Sequence, residues 1–166
     1  DGSVTLNHGG TEMGQGLFIK VAQVVAEALQ IDIDNIRVTA TTTAKVPNTS
    51  PTAASSGSDL NGMAALAAAK EIRTRMTAVA AEHFNVPQSE IAFANNRIFA
   101  GNRSVSFPEL AALSWEKRVS LSATGFYKTP KIHWDFATNT GRPFYYFAYG
   151  VAACEVAIDT LTGETR

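Results

Sequence analysis

The stretch SVTLNHGGTEMGQGLFIKVAQVVAEAL, Ser3–Leu29, decides the fold. Val4, Leu6 and His8 alternate with Ser3, Thr5 and Asn7, the period of a half-buried strand. From Leu17 the period changes. Leu17, Val21, Val24 and Ala28 recur at helical spacing with Phe18, Val25 and Leu29 beside them, giving an amphipathic helix of about four turns. Between the two lies HGGTEMGQG, His8–Gly16, whose glycines mark a sharp turn or a close approach of backbone to something else. Such a strand–turn–helix places free amide N–H groups at the positive end of a helix dipole, a setting that favours anions. The nucleotide motifs are absent. There is no Gly-Lys-Ser/Thr, and the spacing Gly10, Gly14, Gly16 is not the dinucleotide fingerprint. Gln15, with amide donors and an acceptor between two glycines, is suited to reading the edge of a flat polar ligand. Glu12 either caps the helix or faces solvent. The residues equally allow a tight packing turn that holds no ligand.

Outward from this stretch, Ile36, Val38 and Ala40 read as a second strand. TTTAKVPNTSPTAASSGS, residues 41–58, is too long for an ordinary connection and is either a functional loop or disorder. The hydroxyls of Thr52, Ser55, Ser56 and Ser58 lead into another helix start and can donate to phosphate oxygens. That helix begins near Ser58 with Asp59 in its first turn. Its expected core face is Leu60, Met63, Ala67, Ile72, Met76 and Val79, and Pro87 stops it. Residues 89–107 read as a β-hairpin turning at Asn95-Asn96, and Pro108–Trp115 as a short helix. Val119, Leu121 and Ala123 alternate with polar residues. Residues 129–143 are irregular, with a turn at Asn139–Gly141. The last strand spans Phe144–Asp159, with Ala152, Cys154, Val156 and Ile158 on one face, which places Cys154 in the core. The aromatics Phe126, Tyr127, Trp134, Phe136 and those of 144–149 fit a core, an interface or a pocket wall.

Composition narrows the function. The 166 residues are 45% hydrophobic and 17% charged with a net charge of −1. Lys and Arg are dispersed, which argues against nucleic acid, and no apolar run is long enough to span a membrane. One cysteine excludes an internal disulfide framework. The three histidines lack zinc-type spacing, His8 with Glu12 does not make a metal site, and no Ser/His/Asp arrangement can be argued. A reducing, cytoplasmic setting is expected. The turn sequences DGS and DTLTGETR at the two ends suggest a single domain, residues 1–166, excised from a larger protein.

Four segments then resemble one family: GGTEMGQGL (9–17), VPNTSPTAAS (46–55), RVSLSATGFYKTP (118–130) and FYYFAYGVAACEVAIDTLTGE (144–164). In this order they are similar to the molybdopterin-binding region of the xanthine dehydrogenases and oxidases. The resemblance implies an α+β fold, helices packed on a mixed or mostly antiparallel sheet. It implies molybdopterin contacts at Met13, Gly14 and Gln15 and at Thr52, Ala53, Ala54 and Ser55, with Ala54 near the metal end and no side chain ligating the metal. It implies a purine substrate and 2Fe-2S and FAD groups in other domains or subunits. The family's catalytic glutamate, in a Gly-Glu-Pro-Pro segment, does not occur in these residues, so no catalytic residue is assigned. The chain is therefore expected to be inactive alone. Rival readings are an aldehyde oxidoreductase of the same superfamily and a non-catalytic phosphate-binding or interaction module.

Overall fold

The change of period in Ser3–Leu29 produces a β–α–β unit. Strand β1 (Val4–Leu6) pairs in parallel with β2 (Ile36–Val38), Val4 opposite Ile36 and Leu6 opposite Val38. Parallel strands need a crossover, and α1 (Leu17–Leu29) supplies it, burying Leu17, Val21, Val25 and Leu29. The helix ends where Gln30 turns left-handed, φ 57°, and its N–H returns to the Ala26 and Glu27 carbonyls, a common way to close a helix C-terminus. The computed structural model describes residues 1–39, 41–46, 49–53, 55–147 and 149–166. They form two compact units, Asp1–Thr129 and Pro130–Arg166.

In the first unit, α2 (Gly57–Phe84) packs on α1. Its buried stripe is Gly62, Ala65, Ala69, Met76, Val79 and Ala80, with Ile72 half-buried beside it. Two residues of the expected face are displaced: Met63 and Ala67 are exposed. The step from Ala67 to Ile72 is one residue too long for a single helical stripe, and the small residues one turn away allow the closer approach to α1. Strands β3 (Ile91–Ala94), β4 (Arg97–Ala100) and β5 (Arg103–Ser106) form an antiparallel meander. Asn95 and Asn96, both left-handed at φ 49° and 61°, make the expected turn, the backbone that twisted two-residue hairpins require. The third strand extends the expected hairpin. Helix α3 (Phe107–Glu116) starts on a full capping box: Ser106 Oγ accepts from the Glu109 N–H, and the Glu109 carboxylate accepts from the Ser106 N–H. Leu17, Val21, Leu29, Met76, Ile98 and Leu110 sit fully buried in one cluster.

One alternating stretch and one expected strand form no strand among the described residues. The alternation at Val119–Thr124 makes no strand. Instead, Arg75 Nη1 donates to the carbonyls of Ser120 and Ser122 at 3.1 and 2.9 Å. Further along, Gly125 meets α2 so closely that a Cβ would strike the Ala64 carbonyl oxygen.

The second unit holds a hairpin, β6 (His133–Asp135) with β7 (Thr140–Arg142), turning through a left-handed Asn139. Of the expected strand over Phe144–Asp159, the described residues form only an isolated bridge, Ile158 with Thr165. Cys154 is exposed, not core, because no strand or helix among the described residues covers its face. The architecture is α+β, as expected. No helix among the described residues is long and apolar enough to cross a membrane.

Candidate cofactor site

β1 delivers the chain at His8, which is buried. The Gly10 N–H donates to His8 Nδ1 at 3.1 Å, so the neutral ring carries its proton on Nε2. Phe18 meets the ring edge-on, centroids 5.0 Å apart. Burial holds the imidazole below its ordinary range, while the Asn61 amide and the Glu12 charge pull the other way. The neutral ring is therefore a wall of the turn. Thr41 Oγ1 secures the same backbone, lying 2.9 Å from the Gly10 carbonyl oxygen.

The bend that follows is organised by Glu12. One carboxylate oxygen accepts from the Gly14 and Gly16 N–H groups at 2.9 and 3.0 Å, and the other from Phe18 N–H at 2.9 Å. These bonds, Phe18's first, hold the Glu12 carboxyl below the usual carboxylate range. Of the helix-start amides expected to be open, that of Phe18 is thus already taken by an internal anion, together with the Gly14 and Gly16 N–H groups just before the helix. Gln15 is likewise engaged: its Oε1 accepts from Met13 N–H at 2.6 Å and its Nε2 donates to the Thr11 carbonyl at 2.9 Å. Gly14, at φ 98°, occupies backbone space that an L side chain rarely adopts, and nothing lies within 4 Å of where its Cβ would stand. Met13 is 68% exposed. The bend is rigid inside and open outside.

The second loop lies beside the first. Thr11 N–H donates to Thr52 Oγ1 at 2.8 Å across a sequence separation of 41 residues, and the Thr49 side chain fills the space of a Cβ on Gly9. Ala53 and Ser55 are exposed. Ser56 donates from its N–H and its hydroxyl to the Ala53 carbonyl, at 3.4 and 3.0 Å, and makes no side-chain cap on α2. Ser55 is left-handed at φ 58°. Of the residues expected to contact cofactor, Met13, Gly14 and Gln15 therefore stand on one loop and Thr52, Ala53 and Ser55 on its neighbour. Ala54 lies outside the described residues. Among the described residues no group of three or more His, Cys, Asp or Glu side chains is placed to hold a metal ion.

Two shallow depressions lie elsewhere. One of about 420 Å³ is lined by Gln30, Ile31, Asp32 and Asn95 among others, and one of about 560 Å³ by Ala81, Asn85 and Pro87 among others. Sequence reading left Glu12 undecided and missed Thr11, Thr41 and Thr49. Glu12 stands four residues before the N-cap Gly16, outside the usual capping spacing. The threonines act through contacts that no local period encodes.

A β–α–β turn thus lies beside a hydroxyl-rich helix entry within an α+β unit. The chain belongs to the molybdopterin cofactor-binding domain family, which matches residues 1–166. It is 48% identical over 166 residues to the xanthine dehydrogenase/oxidase of Mus musculus and 46% over 164 residues to the xanthine dehydrogenase of Oryza sativa subsp. japonica, which covers 100% and 99% of this chain. It spans 11% of the length of each of those proteins. Among solved structures, the CO dehydrogenase from Oligotropha carboxidovorans superposes on 77% of this chain and 17% of its own, with a TM-score of 0.69 at 24% identity, a likeness of fold.

Proposed function

We propose that residues 1–166 act as one cofactor-binding piece of a larger xanthine dehydrogenase-like purine hydroxylase. Met13, Gly14 and Gln15 would hold molybdopterin from one side, and Thr52, Ala53, Ala54 and Ser55 from the other. The observation that carries this reading is the Thr11–Thr52 hydrogen bond, which brings the two loops together. The donor chemistry fits the group. An open surface over Gly14 admits a flat ring, and the hydroxyls of Thr52 and Ser55 suit a phosphate-bearing tail.

When bound, molybdopterin carries the molybdenum at which the purine is oxidised. This chain's part is to bind and orient. Glu12 and Gln15 stiffen the first loop from within, and buried, neutral His8 backs it. No catalytic base is assigned in these residues, so the base is supplied by another segment of the enzyme. The iron–sulfur and FAD groups belong to other domains or subunits, which with the remainder of the molybdenum-binding subunit are the proposed partners, in the cytoplasm.

The test is pterin content. In the full-length enzyme, Gln15→Ala and Ser55→Val are expected to lower the molybdopterin released and oxidised to its fluorescent form, with circular dichroism unchanged. Full pterin content in both variants would sink the assignment. The isolated 166-residue chain is expected to bind molybdopterin weakly in equilibrium dialysis and to turn over no xanthine with a dye acceptor, because a site works only with its supporting walls in place.

A further inference from the structure

A helix start flanked by glycines invites a phosphate, and α1 has such a start. Three of the amides at this entry are nevertheless not open. The Glu12 carboxylate reaches over the bend and accepts from Gly14, Gly16 and Phe18 N–H, all at 2.9–3.0 Å. Gly16, the N-cap, has no side chain with which to do this, and its backbone is left-handed at φ 73°. Without Glu12 the three donors would face outward with no intramolecular acceptor. With it, the bend closes on itself. Gln15 adds a second internal lock through Met13 N–H and the Thr11 carbonyl, and the backbone at Gly14 is carried out to solvent.

We propose that Glu12 is the positioning residue of the Met13–Gln15 bend and occupies the Gly14, Gly16 and Phe18 amides at the entry to α1, so that these three donors receive no phosphate of any ligand. The role deepens the cofactor reading above and rests on it for the ligand's identity, but the occupancy of the amides stands on geometry alone. Two consequences follow. The bend meets a ligand through the outer surface of Met13, Gly14 and Gln15, while the carboxylate's charge repels a second anion from the helix end. The ligand's polarity is thereby set, since one of the two loops refuses its phosphate.

The probe is inorganic phosphate, titrated into the 166-residue chain while the backbone amide resonances are followed by NMR. In the wild type, the Gly14, Gly16 and Phe18 signals are expected to stay still. In Glu12→Ala they should move with added phosphate, and binding there should strengthen by roughly two- to thirtyfold, the range a helix N-terminus contributes to an anion. Glu12→Gln separates shape from charge. Its one carbonyl oxygen can keep the Gly14 and Gly16 bonds, so the Met13 and Gln15 signals should remain near their wild-type positions, whereas Glu12→Ala should displace them. Phosphate-induced shifts of these amides in the wild type would overturn the proposal, as would a Glu12→Ala chain, folded by circular dichroism, whose amides ignore phosphate. Failure of the cofactor reading looks different: a wild-type full-length enzyme without pterin, whatever the amides do.

Discussion

The two compact units handle the same kind of sequence in opposite ways. In Asp1–Thr129, apolar residues at helical spacing close on one another, and Val21 and Leu110 are entirely buried. In Pro130–Arg166, every described residue is exposed, including Phe136, Tyr149 and Val151. The second unit is no poorer in apolar side chains. What it lacks is an element that presents them together. Its regular structure is the three-residue strands of one hairpin and a bridge, and a two-stranded hairpin has too little face to bury anything. Alternation in a sequence says that a face suits burial. It does not say which element will bury it.

The sharpest way to break this contrast is to truncate one large side chain in each unit. Met76→Ala removes a buried contact of α2 and is expected to cost about 2–5 kcal/mol. Phe147→Ala, at an exposed position of the second unit, should stay within about 0.5 kcal/mol. Urea unfolding of the 166-residue chain measures both. A Phe147→Ala loss comparable to that of Met76→Ala would mean that the second unit is folded by its aromatics after all.

A smaller effect is expected at residues 119–125, where the first unit fastens an extended stretch to α2. Gly125→Val puts a branched side chain against the Ala64 carbonyl and should destabilise by about 1–3 kcal/mol. Arg75→Met removes the donors to Ser120 and Ser122; the arginine is partly exposed, so its loss should be at most about 1 kcal/mol. Both variants should speed tryptic cleavage at Arg118 and Lys128. Unchanged cleavage in Gly125→Val would show that the close approach does not hold the segment.

These cases separate what is legible in a sequence from what is not. The three helices and the Asn95-Asn96 turn could be read because their causes are local: an apolar period, a capping box at Ser106–Glu109, a dipeptide that tolerates left-handed backbone. The two loops of the proposed site were legible by composition, as glycines and hydroxyls next to helix starts. Their adjacency was not, because it depends on Thr11 reaching Thr52 across a long stretch of chain. Glu12 was present in the quoted motif but acts from an unusual distance before the N-cap. The alternation at Val119–Thr124 has the period of a strand face, yet what the stretch meets is Arg75 and α2. At Thr52 and at Val119–Thr124 a contact remote in sequence decides the outcome, whereas at Glu12 the bonds are local and only the spacing is unusual.

Smaller again is the cap of α3. Ser106→Ala should cost about 1 kcal/mol, seen as a lower thermal midpoint, and the effect should shrink in acid. The Ser106 N–H first, and its hydroxyl second, hold the Glu109 carboxyl below the usual carboxylate range. A folded-state pKa below the unfolded one means that the linked stabilisation is present above the unfolded value and disappears as pH falls through the folded value. The difference between wild type and Ser106→Ala should therefore narrow as Glu109 is protonated. A constant difference across that interval would separate the hydroxyl's contribution from the carboxylate's.

Cys154 gives the smallest energetic effect and the most direct reading of the second unit. Its alternation with Ala152, Val156 and Ile158 argues for a core strand, and a core thiol reacts with a disulfide reagent only when the protein opens. The structure leaves it exposed. Native 166-residue chain should thus react with DTNB at nearly the rate of the urea-unfolded chain, and Cys154→Ser should leave the unfolding midpoint unchanged. Protection in the native state would show that the alternating face has found a cover. A second copy of the chain is the cover to look for, and protection that grows with protein concentration would identify it. If the protection were instead independent of concentration, the second unit would have to bury its own apolar face, and the contrast between the two units would fall.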